Sequence, residues 1–327
     1  MTCRRVALSV VFSVFFFPSL CAERDSVLDS GVILENQYNF YRPWSFKAYE
    51  DGTNQRHRYK ILQPFKSQIV SDALTGLYWE RQASTSGVNW SKSKAPGSAQ
   101  SYCASLKKGG FLDWRVPSPM ELQSLVDYTL DSAPTMNQQA FPEALPNFFW
   151  TAVNYVVSPQ HAWGLFFQNA DLEIALSDSG AASASNVRCV RGPKMLLKNR
   201  FTDQNGKAIQ PTTTRVLDKA TGLVWQRIAS QESFDFEGAA AYCDQLSLGK
   251  KSWRLPSIKE LLTIVDYSSY KPSIDKAVFP ETLSDKFWSS TPFVGQSRSL
   301  WGLNFTHGRT SILGSSQKFM LRCVRNF

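Results

Sequence analysis

Apolar residues follow two spacings along this chain. Phe236, Ala239, Ala240, Cys243 and Leu246 recur at the three-and-four spacing of one helix face. Asp235 is placed to cap that helix, and the glycines at 109–110 and 249 suit a helix exit. A second helix is predicted to begin at Trp114-Arg-Val-Pro-Ser118 and again at Trp253-Arg-Leu-Pro-Ser257. Ser118 and Ser257 are N-cap residues, Glu121 and Glu260 complete a capping box three positions on, and Pro119 fits the first helical position. Leu122, Leu125 and Val126 form its apolar face, as do Leu261, Ile264 and Val265. The pattern then becomes that of strands. Phe149 to Val153, Trp163 to Phe167 and Val187 to Val190 are short aromatic or β-branched runs separated by Ser, Asn and Gly. Thr-Gly-Leu at 75–77 and 221–223 reads as a turn entering a further strand, its glycine supplying the permissive dihedral. Two helices followed by several strands make an α+β arrangement.

The pattern occurs twice. Asp72 to Ser84 returns as Asp218 to Ser230 with 8 of 13 positions identical. Tyr102-Cys103 returns as Tyr242-Cys243, and Glu121-Leu and Val126-Asp-Tyr128 return as Glu260-Leu and Val265-Asp-Tyr267. Phe141-Pro, Phe149-Trp150 and Trp163-Gly-Leu165 return as Phe279-Pro, Phe287-Trp288 and Trp301-Gly-Leu303. Arg188-Cys-Val-Arg191 closes the first copy and Arg322-Cys-Val-Arg325 the second. The order never changes, and the offset drifts from 146 to 134 as loops change length. A period near 140 residues is a whole domain, well above the ~20–50 residues of solenoid repeats. The expected organisation is copy 1 at 58–191, a linker at 192–197 and copy 2 at 198–327.

The first 22 residues have the layout of a secretory signal peptide: basic Arg4 and Arg5, an apolar run from Val6 to Phe17, then Pro18 and a small residue at Ala22. That run is too short for a membrane span, which needs roughly 20 residues. Acylation at Cys21 is disfavoured because Leu20 stands where a small residue is wanted. Loss of the leader takes the formal charge from +9 to +7, since Arg4 and Arg5 are its only charged residues, and favours anionic partners. It also reduces six cysteines to Cys103, Cys189, Cys243 and Cys323. Four cysteines allow three pairings. Self-contained copies choose Cys103 with Cys189 and Cys243 with Cys323. Periplasmic, surface or secreted localisation follows. Residues 23–57 carry Tyr38, Phe40, Tyr41, Trp44 and Phe46, and are expected to pack on copy 1.

Candidate chemistry is sparse. His57, His161 and His307 do not occupy matching positions in the two copies, and no Ser-His-Asp set, H-E-x-x-H or P-loop is present. No C-x-x-C pair suggests zinc or redox chemistry. Catalysis, a cofactor, a metal and nucleic-acid binding are therefore not expected. Arg115 and Arg254 are expected to pair with a nearby acid, Asp127 or Asp266, and the repeated tryptophans to build core. Lys92, Lys94, Lys107 and Lys108 gather around the first helix and its exit, and Lys250 and Lys251 stand at the same exit in copy 2. Trp90 lacks a tryptophan counterpart and is expected to face solvent. These seven residues are the candidate ligand contacts.

Taken together, Asp-x-x-Thr-Gly-Leu-x-Trp, Tyr-Cys, Trp-Arg-x-Pro-Ser-x-x-Glu-Leu, Val-Asp-Tyr, Phe-Pro, Phe-Trp and Arg-Cys-Val-Arg resemble the Lcl C-terminal domain family, named for the end domain of a collagen-like bacterial adhesin. The resemblance covers nearly all of 58–327. It implies tandem C-type-lectin-like domains, each with two helices and a short-stranded, mainly antiparallel sheet, and an extracellular binding role, with sulfated polysaccharide as the adhesin's ligand. No collagen-like repeat is present, and the calcium tripeptides Glu-Pro-Asn and Trp-Asn-Asp are absent. The expected function is non-catalytic recognition of an anionic glycan or envelope polymer. A protein-protein interaction module of the envelope is the alternative, and an enzyme on a lectin-like fold a more distant one.

Overall fold

The structure, a computed structural model, describes residues 58–62, 68–142, 144–176, 185–194, 199–249 and 252–327. The expected leader, the aromatic segment 23–57, and Lys250 and Lys251 lie outside the described residues.

Each copy builds one sheet before its helices and another after them. In copy 1 the chain runs β1 (Tyr59–Ile61), β2 (Ile69–Asp72), β3 (Leu77–Glu80), α1 (Ala99–Ser105), α2 (Pro119–Gln123), β4 (Phe148–Asn154), β5 (His161–Phe166), β6 (Asp171–Leu176) and β7 (Val190–Arg191). Copy 2 repeats the order with β8 (Phe201–Thr202), β9 (Arg215–Asp218), β10 (Leu223–Gln226), α3 (Phe236–Gln245), α4 (Ile258–Leu262), β11 (Lys286–Pro292), β12 (Ser299–Asn304), β13 (Arg309–Gly314) and β14 (Val324–Asn326). Pairing is antiparallel throughout, in the orders β1-β2-β3-β7 and β4-β5-β6 for copy 1, and β8-β9-β10-β14 and β11-β12-β13 for copy 2. The α+β class holds, but each copy has two sheets where one is expected. The final strand returns beside β3 or β10, so both ends of a copy meet in one sheet.

Local signals act as their chemistry requires. Gly76 and Gly222 take φ of 70° and 69° in the turn before β3 and β10. Ser118 and Ser257 each accept from the backbone N–H of Glu121 or Glu260, whose carboxylates accept from the cap N–H in return. The glycine of Trp-Gly-Leu answers to close approach: a Cβ on Gly164 would lie 2.6 Å from the Phe149 carbonyl oxygen, and one on Gly302 2.8 Å from that of Phe287. The disulfides join Cys103 to Cys189 and Cys243 to Cys323. Each ties α1 or α3 to the residue before the closing strand.

On the helix side of β3, Cys103, Cys189, Trp90, Trp114 and Trp150 form a core private to copy 1, and Cys243, Cys323, Trp253 and Trp288 form its equivalent in copy 2. The remaining core is shared, containing Trp79, Phe149 and Trp163 together with Trp225, Phe287 and Trp301. The contacts across it are reciprocal. Tyr128 meets Trp301 edge-on at 5.2 Å, and their counterparts Tyr267 and Trp163 meet at 5.3 Å. Tyr155 braces Trp163 as Phe293 braces Trp301. Like residues meeting like in exchange is the signature of an isologous, two-fold interface, here within one chain. Its edge is polar. The Thr310 hydroxyl donates to Asp171 at 2.9 Å, and Arg309 pairs with Asp171 and Glu173. Burial raises the Asp171 carboxyl above its ordinary range, against the pull of Thr310 and Arg309.

Candidate binding surfaces

Most repeated charged residues are committed to the scaffold. Asp72 and Asp218 are fully buried and each receives a two-pronged guanidinium, from Arg58 at 2.9 and 2.7 Å and from Arg200 at 2.7 and 2.5 Å. Both arginines also lie over the aromatic residue that follows them, Tyr59 or Phe201. Sequence reasoning missed these pairs; the signal was Arg-aromatic shortly before each Asp-x-x-Thr-Gly. Arg188 and Arg322, buried in Arg-Cys-Val-Arg, donate to the backbone carbonyls of 80–81 and 226–227 and lie 4.7 Å over Phe141 and Phe279. Burial lowers both guanidinium pKa values.

The arginine of Trp-Arg-x-Pro-Ser has a different partner from the one expected. Arg115 grips Glu121 at 2.7 and 2.6 Å, and Arg254 grips Glu260 at 2.7 Å through both nitrogens. The capping-box carboxylate already sits at the helix start, facing the segment that carries the arginine. Asp127 and Asp266 instead hold the turns that follow, accepting from Thr129 and Ser268.

The copies diverge around the bridged helix. In copy 1, Glu80 is fully buried, and one carboxylate oxygen accepts from the Tyr102 hydroxyl at 2.8 Å and from Lys108 Nζ at 2.6 Å. The other accepts from the Cys189 N–H at 3.0 Å. Burial, followed by the neighbouring carboxylate, pushes the Tyr102 phenol well above its ordinary range. In copy 2 the same places hold Gln226, Tyr242 and Leu248. Gln226 accepts from the Cys323 N–H at 3.0 Å, as Glu80 does from Cys189, but its amide donates to the Tyr242 oxygen at 3.0 Å. Among the described residues, no lysine crosses the space. A cavity of about 510 Å³ lies there instead, with Ile228, Phe234, Tyr242, Leu246 and Leu248 among its walls. The paired exchange of Glu80 and Lys108 for Gln226 and Leu248 was visible in the aligned copies; its consequence was not.

The sequence-predicted contacts do not form one cluster. Lys92 and Lys94 are exposed on the loop before α1, and Lys107 is exposed beyond its other end, with a seven-residue helix of about 10 Å between them. Lys108 is spent on Glu80. Trp90, expected to face solvent, is only 3% exposed, and its indole N–H donates to the Thr151 carbonyl at 2.7 Å. The loop folds back so that Asn89 bonds with Gly97 and Ala99, leaving Trp90 at its root. Among the described residues, no helix is long and apolar enough to cross a membrane.

Residues 68–191 and 214–325 each match the family model described as the Lcl C-terminal domain. No curated protein matches the chain.

Proposed function

The chain belongs to the Lcl C-terminal domain family across both copies, and from that premise we propose that it is an exported, non-catalytic binding protein that recognises an anionic glycan or envelope polymer. The observation that carries this reading is the contrast between committed arginines and uncommitted lysines. The repeated arginines are engaged by carboxylates, carbonyls and rings, whereas Lys92, Lys94 and Lys107 are exposed and, among the described residues, hold no ion pair. A chain whose formal charge is +7 after loss of the expected leader thus presents exposed ammonium groups, suited to a flexible polyanion. The helix-to-last-strand bridges agree with a C-type-lectin-like scaffold and with an oxidising compartment.

The test is retention on immobilised sulfated and carboxylated polysaccharides as salt is raised. Weakening with salt, and further weakening in K92A/K94A/K107A, is expected. Retention indifferent to salt, or to loss of the three lysines, would sink the anionic reading. A protein-docking role draws on the exposed Val156, Val157 and Tyr270, with Tyr155 packed against Tyr270 at the meeting of the copies. A V156S/V157S variant that loses a protein partner while keeping polysaccharide retention would favour that role.

A further inference from the structure

We infer that the copy 2 cavity is a ligand site, absent from copy 1, for one uncharged pyranose residue. This goes beyond recognition of anions, because the cavity is chemically unlike the lysine-bearing loop. At about 510 Å³ its size suits a sugar ring or two, within the ~300–1,000 Å³ typical of small-molecule sites.

The lining selects the chemistry. Phe234 and Tyr242 stand with ring centres 5.4 Å apart, and Leu246 and Leu248 extend that apolar wall. The polar members are Thr214, Gln226, Gln231 and Glu232, so among the described lining residues the only carboxylate is Glu232 and none is basic. An anion would meet that carboxylate, and the cation at the rim, Arg215, is turned onto the Leu248 carbonyl at 3.4 Å and is not among the walls of the cavity. A purely aliphatic ligand would leave a donor idle: the Tyr242 oxygen accepts from Gln226, and its own proton has no acceptor among the described residues. The occupant must therefore accept a hydrogen bond from Tyr242, donate to Glu232, and lay an apolar face on aromatic rings. A pyranose does all three, with hydroxyls at its edge and C–H bonds on its face.

Copy 1 shows how the site is closed. Lys108 reaches through the equivalent space to Glu80 and to the Gln82 carbonyl, and Tyr102 spends its proton on Glu80. Q226E/L248K transplants that closure into copy 2 with a geometry the fold already accepts.

The experiment is saturation-transfer NMR and calorimetry on the whole protein in high salt. The probes are methyl glycosides and disaccharides of glucose, galactose, mannose and N-acetylglucosamine. We expect at least one to bind, Q226E/L248K to weaken it about tenfold or more, and Y242F to weaken it less while the melting temperature holds. K92A/K94A/K107A should leave it unchanged, which separates this site from the anionic reading. Absence of transfer to every neutral sugar, or binding unaltered in both Q226E/L248K and Y242F, would overturn the inference.

Discussion

Copies 1 and 2 share their disulfides, buried Asp–Arg pairs, capping boxes and tryptophan core, yet differ beside the bridged helix. Copy 1 opens α1 with Ser98 after the loop that carries Trp90, Lys92 and Lys94, whereas copy 2 opens α3 at Asp235 and runs ten residues against seven. Copy 1 fills the space under its helix with the Lys108–Glu80 pair, and copy 2 leaves a cavity. The residues that hold the fold stayed matched while those beside the bridge changed. A buried carboxylate and its lysine had to change together, because losing either alone strands the other.

The comparison can be broken first at the bridges. C103A/C189A and C243A/C323A should each lower the free energy of denaturant unfolding by about 4–5 kcal/mol in the chain-entropy account, since both loops span 80 or more residues. A much smaller loss in one copy would show that the copies are held together differently. Next come the shared tryptophans. W163A and W301A should each cost about 3–5 kcal/mol, and calorimetry should show one transition that moves as a whole. Two transitions, only one of them displaced, would make the copies separate folding units.

The divergent site should respond unequally. K108M leaves Glu80 buried with two of its three hydrogen bonds and should cost about 1–2 kcal/mol in denaturant unfolding, whereas L248M should cost well under that. Equal losses would mean that the Lys108–Glu80 pair contributes nothing measurable. The smallest effect concerns His307, which has no counterpart at the matching place in copy 1. Burial lowers its pKa, with Asp171 opposing, and its Nδ1 accepts from the Arg309 N–H at 3.2 Å. A base held below its unfolded value leaves stability intact above about pH 6.5 and loses it as pH falls through the folded value. Unfolding at pH 7.5 and 5.5 should show that loss reduced in H307Q; an unchanged slope would assign it to other groups.

Much of the fold was legible because the signals are local. A capping box needs only Ser118 and Glu121 three apart, and the helix positions of Cys103 and Cys243 follow from apolar spacing. The Arg115 partner was misassigned because i and i+6 meet only through the bend between strand and helix, and Trp90 because its burial depends on a loop folding back. The cavity was hidden for the same reason: Gln226, Phe234, Tyr242 and Leu248 lie on a strand, a loop, a helix and that helix's exit.

By itself the amino-acid sequence determined that one unit is written twice, which elements it forms and which cysteines join, because these rest on identity, period and neighbouring residues. Tertiary structure alone decided that the copies share a core through exchanged Tyr–Trp contacts, and that one copy is filled where the other is hollow. Those outcomes depend on which side chains occupy a common volume, a property of packing in space rather than of order along the chain.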